Sequence, residues 1–353
     1  MEYVDRYAAM AIQPEVRACY VTGKEPAAQR MENVLHDCEL IDKYYQGTAH
    51  RLGGLVPRLC VFPESFIHGF GPGWVRDFKL SIKQLAIRIP GPEIDALAKK
   101  AVEYNMFIAG AAFEILPEYP DRFFNTGFII DPKGEVILKY RKINSSNNDF
   151  EISSSPHDVL DTYGNDPKKL FPVVDTEIGN LAVYICYDGT FPEVARCLAL
   201  NGAEVFCRPN NWAYGTIEAT DLMRMHNIMR AFENTAYVVT CNWGKSPMSE
   251  YECSCGHGMI VDYNGRVLTE KQTAEESFVC DVIELKRLRE HRRTTKFGNF
   301  LVQLRTECYA SSYAQHSCWP QELYRETPLQ NLPDKWALYK DIAAELVKKG
   351  TYK

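Results

Sequence analysis

The sequence has no excess of basic residues and no long hydrophobic run. Its 353 residues contain 40 Lys and Arg against 46 Asp and Glu, a formal net charge of −6. We therefore expect no nucleic-acid partner, because such proteins present a surplus or a block of basic side chains. No apolar stretch approaches the ~20 residues that a membrane-spanning helix needs. With 46% hydrophobic and 24% charged residues, the composition is that of an ordinary globular enzyme.

Patterns for export and for metal binding are also missing. Residues 1–6 do not have the basic and then apolar layout of a secretory signal peptide. The 12 cysteines are therefore expected mostly as reduced thiols in the cytoplasm. Cys253 and Cys255 are too close together for the usual zinc spacing, and no matching pair follows. We expect a cytoplasmic protein that holds no metal.

Two stretches of the sequence are alike, which predicts an internal repeat. Residues 129–137 and 260–268 both read apolar, then Asp-x-x-Gly, then apolar, as in a β-hairpin with glycine in its turn. A helix with one apolar face and then an apolar strand precede each hairpin, over 93–109 and 222–240. Chance occurrence of two common hairpins is the alternative, but the matching order upstream favours duplication. The pattern predicts two α+β halves whose sheets pack together, with helices outside.

Cys186 is the most informative single residue. It follows the apolar run 181–185 and precedes a turn at Gly189 and a predicted helix with Thr190 as N-cap and Pro192 in its first turn. A cysteine at a strand-to-helix corner lies near backbone N–H groups and a helix N-terminus, and both favour the thiolate. This position suits a nucleophile, although a free cysteine is also among the most buried residue types.

Two other apolar strands end in an ionisable side chain. Glu64 follows the strand 59–63, where a carboxylate tends to be desolvated and suited to act as a general base. Lys142 follows the strand 135–140, although lysines at strand ends are usually exposed. Each is ambiguous alone, but in a sandwich the three strand ends could meet on one rim. A base, a cation and a thiol are the set that acyl transfer through a thioester needs, with Lys142 and the backbone N–H of Tyr187 holding the oxyanion.

Three ordered segments carry a family resemblance: Pro63-Glu64, Tyr140–Ile143 and Ile185–Asp188. They resemble the Glu–Lys–Cys motifs of the nitrilase superfamily of carbon–nitrogen hydrolases, and softer landmarks such as Phe124-Asn125-Thr126 agree. The resemblance implies an α+β fold, a four-layer αββα sandwich with an internal pseudo-two-fold repeat. It also implies that no metal or organic cofactor is used and that the protein is a homo-oligomer.

The resemblance covers about residues 10–283, which predicts a carbon–nitrogen hydrolase domain over 1–283. Residues 284–353 would be a C-terminal extension that closes with an amphipathic helix over 336–348. We expect this extension to act as an arm that packs a partner subunit or the protein's own edge.

Many family members carry a second glutamate after the lysine, and Glu151 is the candidate here, with Asp149 as a competitor. The residues expected to bind substrate are Tyr187, Asn210, Asn211, Trp212 and Phe66. The two asparagines could equally make only a turn. The aromatic members would wall a small pocket and favour a compact substrate.

Histidines and a charged pair are interpreted as structural. His68, His226 and His257 are expected to be hydrogen-bonded rather than catalytic, because a Glu–Lys–Cys site needs no histidine. Asp188 and Arg196 are expected to pair around the turn that follows Cys186.

The context of the nucleophile, Cys186-Tyr187-Asp188, resembles the amidase and carbamoylase branches more than the Cys-Trp-Glu of nitrilases proper. It implies a thiol amidohydrolase that releases ammonia from a small amide or N-carbamoyl compound. Nitrile hydrolysis, transfer of the acyl group to an amine and a non-catalytic scaffold are the alternatives.

Overall fold

The computed structural model describes residues 3–19, 23–69, 81–146, 166–211, 217–244, 256–294, 297–320 and 322–353. The strands are β1 (Tyr7–Gln13), β2 (Pro57–Glu64), β3 (Phe107–Leu116), β4 (Tyr119–Ile130), β5 (Val136–Arg141), β6 (Val173–Thr176), β7 (Gly179–Val183), β8 (Val205–Pro209), β9 (Tyr237–Cys241), β10 (Gly258–Val261), β11 (Val267–Lys271) and β12 (Ser277–Ile283). The helices are α1 (Pro26–Arg51), α2 (Pro92–Glu103), α3 (Pro167–Leu170), α4 (Pro192–Leu200), α5 (Ile217–Asn234), α6 (Leu285–Arg292), α7 (Thr306–His316) and α8 (Leu332–Lys348). Two 3₁₀ helices, Cys186–Thr190 and Phe300–Gln303, and one π-helical turn, Ser81–Leu85, lie between them.

The described strands form two six-stranded sheets of the same construction. The first has the order β12-β1-β2-β3-β4-β5 and the second β11-β10-β9-β8-β7-β6. In each sheet three parallel strands, β1–β3 or β7–β9, continue into an antiparallel hairpin. One further antiparallel strand, β12 or β6, covers the other edge. The equal strand order of the two sheets confirms the internal repeat.

The two hairpin turns are built in the same way. Asp131 Oδ1 accepts hydrogen bonds from the backbone N–H groups two and four residues further on, both at 2.9 Å. Asp262 Oδ1 accepts the equivalent bonds at 2.8 and 2.9 Å. Gly134 has a φ of +85° and Gly265 a φ of +77°, the left-handed conformation that glycine adopts without steric cost. The Asp-x-x-Gly pattern therefore specifies this turn in both halves.

The sheets pack face to face, and helices cover their outer faces. Because side chains alternate along a strand, Ala9 of β1 lies in the core between the sheets, whereas Met10 lies in the core under α1. In α1, Val34, Cys38 and Ile41 recur on one buried face at helical spacing. On the far side, α4 and α5 pack on the second sheet. The four-layer αββα sandwich expected from the sequence is thus confirmed.

The chain beyond β12 packs on the sandwich both directly after β12 and near the other end of the extension. Leu285 and Leu288 of α6 join the main core. Near the other end, Leu332 packs with Phe113 and Phe123 of the first sheet. Between these contacts, α7 lies on the surface and buries none of its described side chains.

Two further properties of the described residues bear on the sequence predictions. No helix among them is both long enough and apolar enough to cross a bilayer. All ten of the cysteines that lie in the described ranges are free thiols.

Candidate active site

Cys186 lies at the corner between the second sheet and α4. After β7 the chain enters the 3₁₀ helix at Cys186, and Pro192 is the first residue of α4. Cys186 has a φ of +43° and is only 4% exposed. A residue other than glycine held in this region stores strain, as in sharp turns that present a nucleophile. Phe191, and not Thr190, is the N-cap, because the 3₁₀ turn extends through Thr190 before the helix begins.

Glu64 and Lys142 form an ion pair that is completely shielded from solvent. Lys142 Nζ donates to Glu64 Oε1 at 2.8 Å, and both side chains have 0% exposure. Asn125 Nδ2 donates to the same oxygen at 2.6 Å. The Lys142 backbone N–H donates to the Asn125 carbonyl at 2.8 Å, so β4 and β5 bring both donors to one carboxylate. Because a buried ion pair needs further hydrogen bonds to offset desolvation, these contacts fix Glu64 as an oriented carboxylate.

The segment that follows β8 joins the cysteine to the glutamate. The Cys186 thiol donates to the Asn211 carbonyl, with Sγ and O 3.6 Å apart. The preceding carbonyl, that of Asn210, accepts from the Glu64 backbone N–H at 3.3 Å. Trp243 Nε1 donates to the Glu64 carbonyl at 2.6 Å and fixes that backbone from another side. Cys186 from one sheet and Glu64 from the other therefore contact the same two-residue segment.

Asp188 ties the lysine strand to the 3₁₀ helix of the cysteine. Its Oδ2 accepts from the Tyr140 hydroxyl at 2.8 Å, and its Oδ1 accepts from the Asn144 backbone N–H at 2.9 Å. These two residues flank Lys142. Burial raises the pKa of Asp188 above its ordinary value, and the charge of Lys142 opposes this. The carboxylate thus pairs with the residues around Lys142. The expected pair of Asp188 with Arg196 is not formed.

The residues predicted to bind substrate differ in which of their atoms lie at the site. The Asn210 side chain is buried, and its Nδ2 lies 2.6 Å from the Met223 sulfur. Asn210 therefore contacts Glu64 through its backbone carbonyl. Asn211 likewise contributes its carbonyl. The half-buried Tyr187 ring packs edge to face on Phe191, with centroids 5.6 Å apart. Glu151, its competitor Asp149 and Trp212 lie outside the described residues.

The prediction for Phe66 is corrected. Its ring is completely buried in the cluster that faces α1, and it stacks on Phe62 with centroids 4.8 Å apart. Ser65, with a φ of +59°, turns the chain directly after Glu64. This turn directs Phe66 to the outer face of the first sheet. The ring therefore belongs to the core under the helices and not to a pocket wall.

The three histidines differ in their contacts, and a structural role for His226 and His257 stays a prediction. The Phe113 backbone N–H donates to His68 Nε2 at 2.9 Å, so the ring proton is on Nδ1 and is donated to the Gly69 carbonyl, also at 2.9 Å. Burial lowers the pKa of His68 to about 3 and that of His226 to about 4. His257 Nδ1 contacts Glu270 at 3.3 Å.

Sequence reasoning missed three residues that organise the site: Asn125, Trp243 and Arg208. Arg208 Nη2 donates to the Cys186 carbonyl at 2.7 Å from a fully buried position in β8. An arginine inside an apolar strand was the available signal for Arg208. For Asn125 the signal was its place in a family landmark. Within the described ranges, no three His, Cys, Asp or Glu side chains are grouped as metal ligands would be.

The duplicated αββα sandwich, with a glutamate, a lysine and a cysteine at its strand ends, is the architecture of the nitrilase superfamily. Comparison with known proteins agrees. The family model described as carbon-nitrogen hydrolase matches residues 13–293, and the chain belongs to that family. The protein is therefore a hydrolase of carbon–nitrogen bonds other than peptide bonds.

Among its relatives, the omega-amidase NIT3 of Saccharomyces cerevisiae is 27% identical over 225 residues, which are 64% of this chain and 74% of that protein. A formamidase of Bradyrhizobium sp. (strain ORS 278) is 30% identical over 267 residues, 74% of this chain and 68% of the formamidase. The crystal structure of Saccharomyces cerevisiae Nit3 superposes with a TM-score of 0.63 at 20% identity, covering 84% of this chain and 97% of that one. At this identity, the structural likeness shows the fold.

Proposed function

We propose that the protein is a thiol amidohydrolase that releases ammonia from a small amide or N-carbamoyl compound. The observation that carries the proposal is the shielded ion pair of Glu64 and Lys142, with Glu64 joined to Cys186 through the end of β8. Relatives named omega-amidase and formamidase support an amide over a nitrile as substrate.

In the acylation half of the proposed reaction, Glu64 accepts the thiol proton while Cys186 Sγ attacks the amide carbon. The electron pair of the carbonyl moves onto oxygen, and Lys142 Nζ with the Tyr187 backbone N–H stabilises that oxyanion. Collapse of the intermediate expels the nitrogen, which takes the proton from Glu64 and leaves as ammonia. The acyl group then remains on Cys186 as a thioester.

In the deacylation half, water attacks the thioester carbon and gives a proton to Glu64. Collapse of the second tetrahedral intermediate releases the acid, and the proton returns to the Cys186 sulfur. Lys142 suits both halves because its charge lies 2.8 Å from the base and is withdrawn from solvent, where electrostatic stabilisation is stronger than in water.

We assign the remaining roles by position in the chain and by resemblance. Glu151, or Asp149 in its place, would orient substrate and water as the second carboxylate. Tyr187, Asn211 and Trp212 would contact the acyl group. Asn210 would act through its carbonyl, which accepts from Glu64.

We also propose that the protein is a cytoplasmic homo-oligomer that associates through α5. Leu222, Met225 and Met229 are 47%, 50% and 45% exposed, and their spacing of three and four residues places them in one stripe. An exposed apolar stripe of this kind is typical of a contact surface, and a second copy of the chain is the occupant we propose. The extension 284–353 would add to the assembly through α7, where Tyr309 and Tyr313 are exposed.

Light scattering with Met225→Glu and Met229→Glu tests the stripe. We expect the wild type to have the mass of a dimer or higher oligomer and the double variant to have a lower mass. A monomeric wild type would contradict the assembly.

An ammonia-release assay tests the activity directly. Wild type and Cys186→Ala are offered formamide, longer amides, ureido acids and nitriles matched to each amide. We expect release from at least one amide or ureido acid by the wild type and none by the variant. Turnover by purified Cys186→Ala would contradict the proposal.

The same assay separates the alternatives. Conversion of a nitrile but not of its amide would favour a nitrilase. Ammonia release that depends on an added amine, with the acyl group recovered on that amine, would favour acyl transfer. No turnover of any compound would favour the scaffold.

A further inference from the structure

Arg208 is a completely buried arginine on an apolar strand. Among the described residues it is the largest side chain that is fully buried. Burial lowers its pKa from the ordinary value, because a guanidinium is costly to desolvate. Its hydrogen bonds go to neutral oxygens: Nη2 donates to the Cys186 carbonyl at 2.7 Å and Nη1 to Asn227 Oδ1 at 2.5 Å. Within the ranges the structure describes, no carboxylate forms an ion pair with it. The site therefore holds a buried positive charge that is not in direct contact with a carboxylate of the described residues.

The turn after Cys186 is shaped around this guanidinium. A Cβ at Gly189 would lie 2.4 Å from Arg208 Cζ, so only glycine lets the 3₁₀ helix lie against the charge. Cys186 itself has the left-handed backbone, and its carbonyl is the group that Arg208 holds. The geometry thus joins three features: a strained nucleophile, its restrained carbonyl and a nearby cation.

We propose that Arg208 is a positioning residue for the nucleophile: its guanidinium holds the Cys186 backbone in its strained conformation, and its charge stabilises the thiolate. The inference rests on the proposed function, since it takes Cys186 as the nucleophile. Proton transfer from the thiol to Glu64 leaves a negative sulfur near Arg208. The thiolate then supplies a negative charge that interacts with the Arg208 guanidinium during the reaction.

Arg230 provides a matched control on the same 3₁₀ helix. Its Nε donates to the Gly189 carbonyl and its Nη2 to the Thr190 carbonyl, both at 3.1 Å. Unlike Arg208, it is paired with a carboxylate, that of Glu233, at 2.7 Å. Arg230 therefore supports the helix mechanically, with its charge already neutralised.

The test measures alkylation of Cys186 by iodoacetamide against pH, read by peptide mass, in wild type, Arg208→Met, Arg208→Lys and Arg230→Met. We expect the pH midpoint of alkylation to rise by about one unit in Arg208→Met, because a neighbouring positive charge shifts a thiol by this order. Arg230→Met should leave the midpoint unchanged even if its Tm falls. Arg208→Lys, which keeps the charge but not the two-pronged geometry, should retain the midpoint and lose kcat.

A folded Arg208→Met with the wild-type midpoint would overturn the electrostatic part of the proposal. If Arg208→Met does not fold, Arg208→Lys decides: wild-type kcat in that variant would overturn the positional part. The proposed function fails separately, if wild-type Cys186 reacts no faster than the core thiol Cys207.

Discussion

The two halves of the sandwich, β1–β5 and β7–β11, share a strand order but carry different residues at equivalent strand ends. β2 ends in Glu64, whereas the chain beyond β8 continues into Asn210. β5 is followed by Lys142, and β11 ends in Lys271, which pairs with the exposed Glu275. The first half supplies the carboxylate and the cation, and the second supplies the thiol. The site therefore depends on the packing of both halves.

The equivalent ends of β2 and β8 hold the reacting groups in different ways. In the first half the position is a carboxylate held by Lys142 and Asn125. In the second half two successive carbonyls take its place, and they accept from Glu64 and from Cys186. These backbone carbonyls fix both partners.

The largest difference in activity between the two halves is expected when the thiol is removed. In Cys186→Ala we expect kcat to fall by at least about 10³-fold with an unchanged Tm, and Cys186→Ser to be nearly as inactive, because Glu64 would have to deprotonate a far less acidic group. Gln13→Ala, at the end of β1, is the counterpart: it removes hydrogen bonds to the Thr273 and Glu275 carbonyls and should lower Tm while folded molecules stay active. Steady-state kinetics and thermal unfolding give kcat and Tm for both variants. Comparable losses of kcat in the two would contradict the assignment of the nucleophile to the second half.

Lysine substitutions at the ends of β5 and β11 give the next largest contrast. Lys142→Ala should lower kcat by about 10²-fold and change KM less, because oxyanion stabilisation acts on the transition state. Lys271→Ala should leave kcat unchanged and shift stability by under about 0.5 kcal/mol, because its ion pair is on the surface. An unchanged kcat in Lys142→Ala would remove that residue from the oxyanion role.

Alanine substitution ranks the two candidates for the second carboxylate. We expect Glu151→Ala to lower kcat/KM by about 10-fold or more, since a carboxylate that positions substrate and water contributes to orientation. Asp149→Ala is the matched control and should cost less. The residue with the smaller loss in kcat/KM is not the second carboxylate.

The smallest expected effect is a pH dependence of stability that differs between His68 in the first half and His226 in the second. Burial lowers the pKa of His68 to about 3, so the unfolded chain binds a proton below about pH 6.5 and the native state does not. Stability therefore falls as the pH drops through this window, by about 2 kcal/mol between pH 6.5 and 4.5. His68→Gln should remove this slope in denaturant unfolding, and His226→Gln, at the less buried site, should change it less. Equal slopes in wild type and His68→Gln would contradict a neutral buried ring.

The strand ends of the site were predictable from the sequence because they depend on local patterns. Apolar runs that stop at Glu64, Lys142 and Cys186 mark where strands end, and two Asp-x-x-Gly turns mark the repeat. The contacts among these residues were not predictable without a family resemblance. The partners of Glu64 are 61 and 78 residues away along the chain, and their meeting depends on how the strands align.

The sequence predictions that were wrong also depended on chain geometry that local patterns do not show. The prediction for Phe66 was wrong because Ser65, with a left-handed backbone, turns the chain directly after the strand, which periodicity does not reveal. Asp188 pairs across the sheets rather than along the nearest helix. The closing helix begins at Leu332, earlier than the apolar pattern indicated, because Asn331 Oδ1 accepts from the Asp334 N–H as an N-cap.

The thioester on Cys186 can be detected from the mass of the enzyme quenched in acid during turnover of an amide that it hydrolyses, followed by peptide mapping. We predict an added mass equal to the acyl group, located on Cys186, present while substrate remains and lost when it is consumed. Cys186→Ala should show no such adduct. Rapid turnover by the wild type with the acyl group on another residue, or turnover by Cys186→Ala, would contradict it.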